Sequence, residues 1–227
     1  MSKEKTPKPV ENLVEVENAL TSAERFFETN SKIITIIFGA VVVVALILLA
    51  THRFYSIPRE AKAKEQMYVA EQYFAKDSFN LAINGDGNFP GFLDIMDDYG
   101  HTKAGKLARY YAGISSLHLG KYKEAVDYLE GFSTDDLLLA PVVKGATGDA
   151  YLELGNKEKA VKLYVAAAEL NPNAFTSPIY YLKAGNVYES MGSKDKALAT
   201  YKIIKEKYAE SNEGRTIDKY IARLSAN

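Results

Sequence analysis

The hydrophobic and polar positions divide the chain into two parts with different patterns. Residues 33–50 (IITIIFGAVVVVALILLA) are apolar except for Thr35 and carry no charge. After residue 58, apolar residues instead recur at intervals of three and four, as on one face of an α-helix. The pattern predicts one continuous apolar helix followed by a series of amphipathic helices, and therefore an all-α chain.

The apolar run is long enough to serve as a membrane anchor. At about 1.5 Å per residue, its 18 residues nearly cross a hydrocarbon core of about 30 Å, and Phe54 and Tyr55 extend the span. A cleaved signal peptide fits less well, because over thirty residues with several Glu precede the run and no A-x-A site follows it. The sequence predicts that residues 33–50 cross a lipid bilayer.

The residues before the run are expected to form a short tail and a helix. The tail covers residues 1–21, and its first nine residues (MSKEKTPKP) are charged and Pro-containing, which favours disorder. The sequence TSAE at residues 21–24 fits a capping box and predicts a helix start there. A pre-membrane and transmembrane helix then occupies residues 22–55, with Phe26 and Phe27 near the bilayer interface.

The charges that flank the run leave its orientation open. Basic residues near the membrane are Arg25 and Lys32 before the run, and Arg53, Arg59, Lys62 and Lys64 after it. Counted literally, this excess favours a cytoplasmic C-terminal region. Lys3, Lys5 and Lys8 bring the two sides close to parity, so the charges alone do not decide the topology.

The clearest amphipathic unit runs from Gly148 to Pro172 (GDAYLELGNKEKAVKLYVAAAELNP). A Gly stops the first helix because it adopts a left-handed backbone at little cost, and a Pro ends the second because it lacks an N–H. With Gly155 at position 15, the small and aromatic residues fall at positions 8, 11, 20 and 24 and the Pro at position 32: Gly148, Tyr151, Ala160, Tyr164 and Pro172. This pattern resembles the tetratricopeptide repeat (TPR), a helix–turn–helix unit of about 34 residues.

Two further units show the same pattern, with turns at Gly120 and Gly192, 35 residues before and 37 residues after Gly155. Their matching residues are Gly113, Ala125 and Leu129 in one unit, and Gly185, Tyr188, Ala197 and Tyr201 in the other. Small residues at positions 8 and 20 allow two helices to approach closely, while large residues fill the space between helix pairs. At least three units must stack to bury their apolar faces.

The predicted array covers residues 58–227 and includes a degenerate first repeat and a C-terminal capping helix. The first repeat has Met67, Ala70 and Phe74 on one face, Asp77 at its turn and Ala82 in its second helix. The capping helix has an apolar stripe formed by Ile217, Tyr220, Ile221 and Leu224. The resemblance to TPR proteins implies one degenerate and three clear repeats in a right-handed superhelix.

An insertion at residues 84–100 (NGDGNFPGFLDIMDDYG) follows the degenerate repeat. Its GDGN sequence is a candidate metal or phosphate loop, but it lacks the spaced ligands and closing Glu of an EF-hand and the Lys of a Walker motif. A surface turn is the favoured interpretation. The acidic residues Asp94, Asp97 and Asp98 are interpreted as a solvated helix face.

The composition gives no support for catalysis. A net charge of −1 provides no basic field for nucleic acid, and the absence of Cys removes thiolate nucleophiles and thiolate metal sites. His52, His101 and His118 have no metal-ligand spacing, and no G-x-S-x-G, H-E-x-x-H or P-loop motif occurs. We expect a non-enzymatic protein without a cofactor, a nucleic-acid partner or a small-molecule substrate.

The TPR resemblance implies a groove lined by first-helix positions of each repeat, which makes it a candidate site for protein partners. Carried over to this chain, the groove positions are Leu107, Tyr110, Ile114, Leu117 and His118; Val142, Gly145, Asp149, Leu152 and Glu153; and Ile179, Leu182, Asn186, Glu189 and Ser190. Only Asn186 matches the Lys and Asn residues with which some TPR modules clamp a carboxylate. The apolar N-terminal end suits an extended or helical hydrophobic segment, unless these residues pack against residues 84–100 instead.

The order of tail, pre-membrane helix with ERFFETNSK, single span and TPR array resembles the YfgM-like family of ancillary SecYEG translocon subunits. The resemblance implies a single-pass protein of the bacterial inner membrane, with a cytoplasmic N-terminus and a periplasmic TPR domain. It also implies association with SecYEG, a membrane-anchored periplasmic chaperone and client polypeptides. The alternative is a scaffold for envelope assembly or cell division that does not contact SecYEG.

Overall fold

A computed structural model describes the backbone of residues 9–225 and, at Thr21 and from residue 28 onward, the side chains. These residues form helices joined by turns and contain no β-strand, which confirms the all-α prediction. The chain divides into two compact units, Met1–Pro58 and Arg59–Asn227.

The first unit consists of helix α1 (Pro9–Thr51) and a π-helical segment, His52–Ser56. The predicted helix start at residues 21–24 is wrong, because α1 already begins at Pro9. After Pro9, no Gly or further Pro interrupts the sequence before Gly39, which favours one continuous helix. The predicted disorder of residues 1–8 lies outside the described residues.

The apolar run lies in α1 and is exposed at every position except Ile34, which is half-buried. Ile36 is 71% exposed and Phe38 70%, and the most apolar 18-residue stretch has a mean hydropathy of 3.2. Among the described residues, one helical segment, Glu28–Ala75, is thus long and apolar enough to cross a membrane. This finding fits the predicted anchor.

The second unit is a stack of helices that begins with α2 (Ile57–Ala75). The following helices are α3 (Phe79–Asn84), α4 (Phe92–Tyr99), α5 (Lys103–His118), α6 (Tyr122–Glu130), α7 (Leu139–Glu153), α8 (Lys157–Leu170), α9 (Ser177–Ser190), α10 (Lys194–Lys207) and α11 (Ile217–Ser225), the last after a 3₁₀ turn at Gly214–Thr216. The hairpins α5–α6, α7–α8 and α9–α10 lie where the three clear repeats were predicted, and α2 and α3 lie where the degenerate repeat was predicted.

The turn glycines have the backbone conformation that the sequence predicted. The φ angle is 74° at Gly120, 79° at Gly155 and 73° at Gly192. At Gly155 the N–H groups of residues 155 and 156 donate to the carbonyl oxygens of Leu152 and Tyr151, both at 2.9 Å, which is a Schellman motif. Asp77 takes the same conformation in the degenerate repeat, with φ of 56°.

Replacing Gly155 with Ala is expected to lower the free energy of unfolding by about 1 kcal/mol, because an L-residue is strained at this φ. A Cβ at Gly155 would meet no atom within 4 Å, so the substitution tests backbone strain without a clash. Urea unfolding of the full chain in detergent, followed by circular dichroism, measures the change. Gly192→Ala should behave alike, and the exposed Lys194→Ala is the control; equal stability of all three variants would contradict the assignment.

Close packing within each hairpin depends on the small residues at positions 8 and 20. A Cβ on Gly148 would lie 2.8 Å from Cε1 of Tyr164, and one on Gly113 would lie 2.7 Å from Cγ of Leu129. The position-20 residues are all fully buried: Ala125, Ala160 and Ala197. The small positions therefore give room to the large side chain at position 24 of the partner helix.

The insertion forms a surface turn and the helix α4, which packs against α5. Asp86 holds the turn, since its Oδ1 accepts the N–H groups of Asn88 (2.9 Å) and Phe89 (2.8 Å). The buried ring of Phe92 stacks on Tyr111 with centroids 5.0 Å apart. The insertion thus extends the core beside the degenerate repeat.

Helix α11 closes the other end of the array, as predicted. Ile217 is fully buried, and the rest of the apolar stripe packs on the cluster that contains Tyr201 and Ile204. The outer face of α11 is polar, with the exposed residues Asp218 and Lys219. This is the arrangement that a solenoid needs to end its last apolar face.

Candidate functional site

Helices α5, α7 and α9 carry the predicted groove positions and run parallel to one another. Between α7 and α9, Nζ of Lys183 lies 2.7 Å from both carboxylate oxygens of Asp149. The ring of Tyr180 on α9 covers Gly145 on α7, and Nζ of Lys157 at the start of α8 donates to the carbonyl oxygen of Ser190 at the end of α9 at 3.4 Å. The first helices of successive repeats therefore form one continuous face.

The N-terminal groove positions contribute mainly to the core. Leu107 packs against the cluster that contains Phe92 and Ile95 of the insertion helix, which is the alternative interpretation of the groove pattern. Tyr110, Ile114 and Leu117 pack against the buried cluster of α6 and α7 that contains Leu129 and Val143. All four predicted side chains are half-buried. Their role in partner binding stays a prediction.

The middle of the face contains a cleft of about 380 Å³. Its lining combines the predicted residues Asp149, Leu152, Asn186 and Ser190 with Tyr164, Lys183 and Val187. Leu152 and Val187 are its aliphatic side chains, and Asp149 and Lys183 are its charged ones. The cleft has the size and mixed chemistry of a pocket for one or two side chains of a partner segment.

The remaining predicted positions lie elsewhere. Val142 is half-buried on α7, and Leu182 packs on the cluster of α8 to α11. Ile179 is 40% exposed and lines a separate cleft of about 520 Å³ with Phe175 and Tyr208. Gly145 is buried beneath Tyr180 and is therefore closed to a ligand.

An ion pair and a buried tyrosine organise the cleft. The Tyr164 hydroxyl donates to Oδ1 of Asp149 at 2.6 Å, and Lys183 neutralises the same carboxylate. Burial, followed by the hydrogen bond to Asp149, raises the pKa of Tyr164 well above its usual range. The Asp149 carboxylate is thereby held in place facing the groove, and the ammonium group of Lys183 lies beside it.

The next repeat builds a similar contact with different chemistry. The Tyr201 hydroxyl donates to Oδ1 of Asn186 at 2.8 Å and to Oε2 of Glu189 at 3.1 Å. Arg223 of the capping helix donates to the same Glu189 oxygen at 2.7 Å. Burial and the hydrogen bond to Glu189 raise the pKa of Tyr201. The predicted groove residues Asn186 and Glu189 are thus held by contacts from α10 and α11.

Residue pairs at positions 9 and 24 explain the chemistry of each repeat: Ile114 with Leu129, Asp149 with Tyr164, and Asn186 with Tyr201. The position-24 side chain passes the Gly at position 8, so its polar end reaches the groove face. The sequence pattern identified Tyr164 and Tyr201 as packing residues but missed this second role. A polar residue at position 9 opposite a Tyr at position 24 was the available signal.

Among the residues that the structure describes, no group of three or more His, Cys, Asp or Glu side chains could hold a metal ion. His118 stacks on Phe79 with ring centroids 4.3 Å apart.

Comparisons with known proteins agree with this fold. Models of the tetratricopeptide repeat match residues 145–174 and 180–211. A solved structure, a variant of a Podosopora anserina protein described as a kinesin light chain with nearly identical TPR-like repeats, superposes with a TM-score of 0.55. It shares 14% identity and covers 74% of this chain and 86% of its own, which supports the fold alone. No curated protein matches the chain.

The chain is thus an all-helical protein in which a long apolar helix is followed by TPR repeats and a short C-terminal helix. Repeats of this kind are scaffolds for protein–protein interaction and are generally not enzymes.

Proposed function

We propose that this protein is a membrane-tethered TPR scaffold that holds protein partners beside the Sec translocon. The observation that carries the proposal is an exposed apolar helix of spanning length in the same chain as a repeat array with a mixed-polarity cleft. An apolar surface of this extent is costly in water and is covered at low cost by lipid. The anchor then concentrates the array at the membrane, where membrane-bound partners meet it.

The cleft favours a partner segment that combines apolar and charged side chains. Leu152 and Val187 can contact an aliphatic group of the partner. At the edge of the cleft, Asp149 can bind a basic group of the partner and Lys183 an acidic one. A volume of about 380 Å³ accepts one or two side chains of a partner segment, and binding through an extended or helical segment is a common recognition mode. Exported polypeptides that have not yet folded provide such segments.

The translocon role rests on the resemblance of the whole-chain architecture, including ERFFETNSK, to ancillary SecYEG subunits. In this role the span lies in the bacterial inner membrane, the N-terminus is cytoplasmic and the repeats are periplasmic. The partners are SecYEG, a membrane-anchored periplasmic chaperone and client chains. The alternative function is an envelope-assembly or division scaffold with the same anchor and no contact to SecYEG.

Site-specific crosslinking tests these alternatives. A photoreactive residue at Leu152 in the full chain is expected to crosslink translocon subunits or their periplasmic chaperone in native membranes, because Leu152 lines the cleft. The matched control is a photoreactive residue at Lys194, which lies at the start of α10 and is exposed. The products are identified by mass spectrometry.

Identified envelope-assembly or division proteins at Leu152, without translocon subunits, would support the alternative function. Equal products from both positions would contradict the cleft as the site of binding. The same membranes test the topology: a reporter fused after Asn227 should be active in the periplasm, and cytoplasmic activity would overturn the translocon role.

A further inference from the structure

Two loops between successive repeats are built alike and expose large apolar side chains. In the α6–α7 loop, Oδ1 of Asp136 accepts the N–H groups of Leu138 (2.9 Å) and Leu139 (2.8 Å). In the α8–α9 loop, Oδ1 of Asn173 accepts the N–H groups of residues 175 and 176, both at 2.8 Å. The side-chain carbonyl or carboxylate thus fixes each loop in a turn before the next helix starts.

The residues that these turns present are apolar and lie in solvent. Phe175 is 77% exposed, Leu137 67% and Leu138 52%. Leu138 and Phe175 are 37 residues apart, which equals the spacing between the turns at Gly155 and Gly192, so they occupy equivalent positions. These apolar side chains do not contribute to the core of the array. A turn that holds an apolar side chain exposed to water indicates a surface that binds another molecule.

Both loops lie on one edge of the array, which we name the loop edge: Leu137, Leu138 and Phe175 with the neighbouring exposed Leu170 and Ile179. The loop edge is formed by the N-terminal ends of the first helices. Glu60 at the start of α2 accepts the N–H of Lys103 at the start of α5 at 2.7 Å, so these two helices begin at the same edge. Helices α5, α7 and α9 are parallel, which places their N-terminal ends on that edge as well.

The chain itself brings this edge to the membrane. Only residues 51–58 separate the apolar run from Arg59, and an extended chain covers at most about 3.6 Å per residue. The N-terminal end of α2 is therefore held within about 30 Å of the bilayer surface by covalent connection alone. The turns at Gly120, Gly155 and Gly192 follow the C-terminal ends of α5, α7 and α9. They form the opposite edge of the array, one helix length away from the loop edge.

We propose that the loop edge docks on the bilayer, with Leu138 and Phe175 inserted into the interfacial region. The charges beside them are mainly acidic, since Asp135 and Asp136 are exposed directly before Leu137, and Glu206, Lys207 and Glu210 line the cleft that contains Phe175. Apolar insertion rather than attraction to anionic lipid therefore drives the contact, to a depth of about 5–10 Å below the headgroups. The docked array would present its groove at a fixed height and orientation above the membrane.

Site-specific fluorescence tests this docking, which rests on the membrane anchor of the proposed function. Because the chain has no Cys, each of Leu138→Cys, Phe175→Cys, Lys194→Cys and Val42→Cys carries one environment-sensitive dye. The full-length variants are reconstituted into phosphatidylcholine vesicles that contain lipids spin-labelled at shallow or deep positions. Far-UV circular dichroism of each labelled variant checks that it retains its helices.

The fluorescence emission of the dyes at residues 138 and 175 is expected to shift to the blue and to be quenched by the shallow spin label. Added salt should change neither the shift nor the quenching. The dye at residue 194, on the opposite edge, should stay in water, and the dye at residue 42 should be quenched by the deep label. If the dyes at residues 138 and 175 show the same emission and quenching as the dye at residue 194, while the dye at residue 42 is quenched by the deep label, the docking is overturned. The loop edge would then be a surface for a protein partner. If the dye at 42 is not quenched, the anchor itself and the proposed function fail.

Discussion

Between pH 10 and 12 the repeat array is expected to lose about 3 kcal/mol of stability from the ionisation of Tyr180 alone. Tyr180 is 7% exposed, and burial raises its pKa from 10.0 to about 12. Above pH 10 the unfolded chain loses this proton while the folded chain keeps it, so rising pH favours unfolding. Below pH 10 the contribution is fully present, and it is gone once the folded group also ionises.

Urea unfolding of the full chain in detergent, from about pH 8 to pH 12, measures this loss. Tyr164 and Tyr201 have raised pKa values as well, so the total loss in the wild type exceeds the share of Tyr180. The comparison with Tyr180→Phe isolates that share, because Phe keeps the ring over Gly145 without the ionisable group. Tyr68→Phe, at a position 61% exposed, is the control. An alkaline loss in Tyr180→Phe as large as in the wild type would refute the assignment.

Replacing Gly185 with Ala is expected to lower the free energy of unfolding by about 1–3 kcal/mol through overpacking. A Cβ at this position would overlap Cε1 of Tyr201, whose ring is fully buried between α9 and α10. The loss is expected even though Ala favours a helix over Gly by about 1 kcal/mol. The same unfolding experiment at neutral pH measures the change.

The double variant Gly185→Ala with Tyr201→Leu provides the matched test. Leu fills position 24 naturally in the α5–α6 repeat, where Leu129 lies against Gly113. In that repeat a Cβ on Gly113 would lie 2.7 Å from Leu129, against 2.2 Å between a Cβ on Gly185 and Tyr201, so Leu reduces the overlap without removing it. The two substitutions together should therefore cost less than the sum of the single effects. Additive effects would show that the Gly185–Tyr201 contact does not limit the packing.

The backbone of the repeats could be predicted because each residue type has a local physical reason. Gly120, Gly155 and Gly192 adopt a φ that favours glycine, and Ala160 is small because two helices meet there. These requirements repeat at a nearly constant period, so the sequence pattern determined the hairpins and the capping helix. The start of α1 was missed because a capping sequence does not stop a helix that can extend farther upstream.

The groove was harder to predict because it depends on contacts between helices. Position counting selected Asp149 and Asn186, which line the cleft, but not Lys183, which reaches Asp149 from the next repeat. It also selected Tyr110 and Ile114, which are half-buried against the core of α6 and α7, so their role in partner binding stays a prediction. Whether a first-helix residue faces a ligand or a neighbouring helix depends on side-chain direction, which residue spacing does not contain.

The contact between Glu60 and the start of α5 also has a mechanical consequence. Glu60 accepts hydrogen bonds from the N–H groups of Lys103 and Ala104 at the start of α5. Near the other end of α2, the ring centroid of Phe74 lies 4.9 Å from that of Tyr111 on α5. A pull on the chain at Arg59 therefore reaches α5 through contacts near both ends of α2. The first repeat, although its sequence is the least regular, is the part of the array that takes up such a pull first.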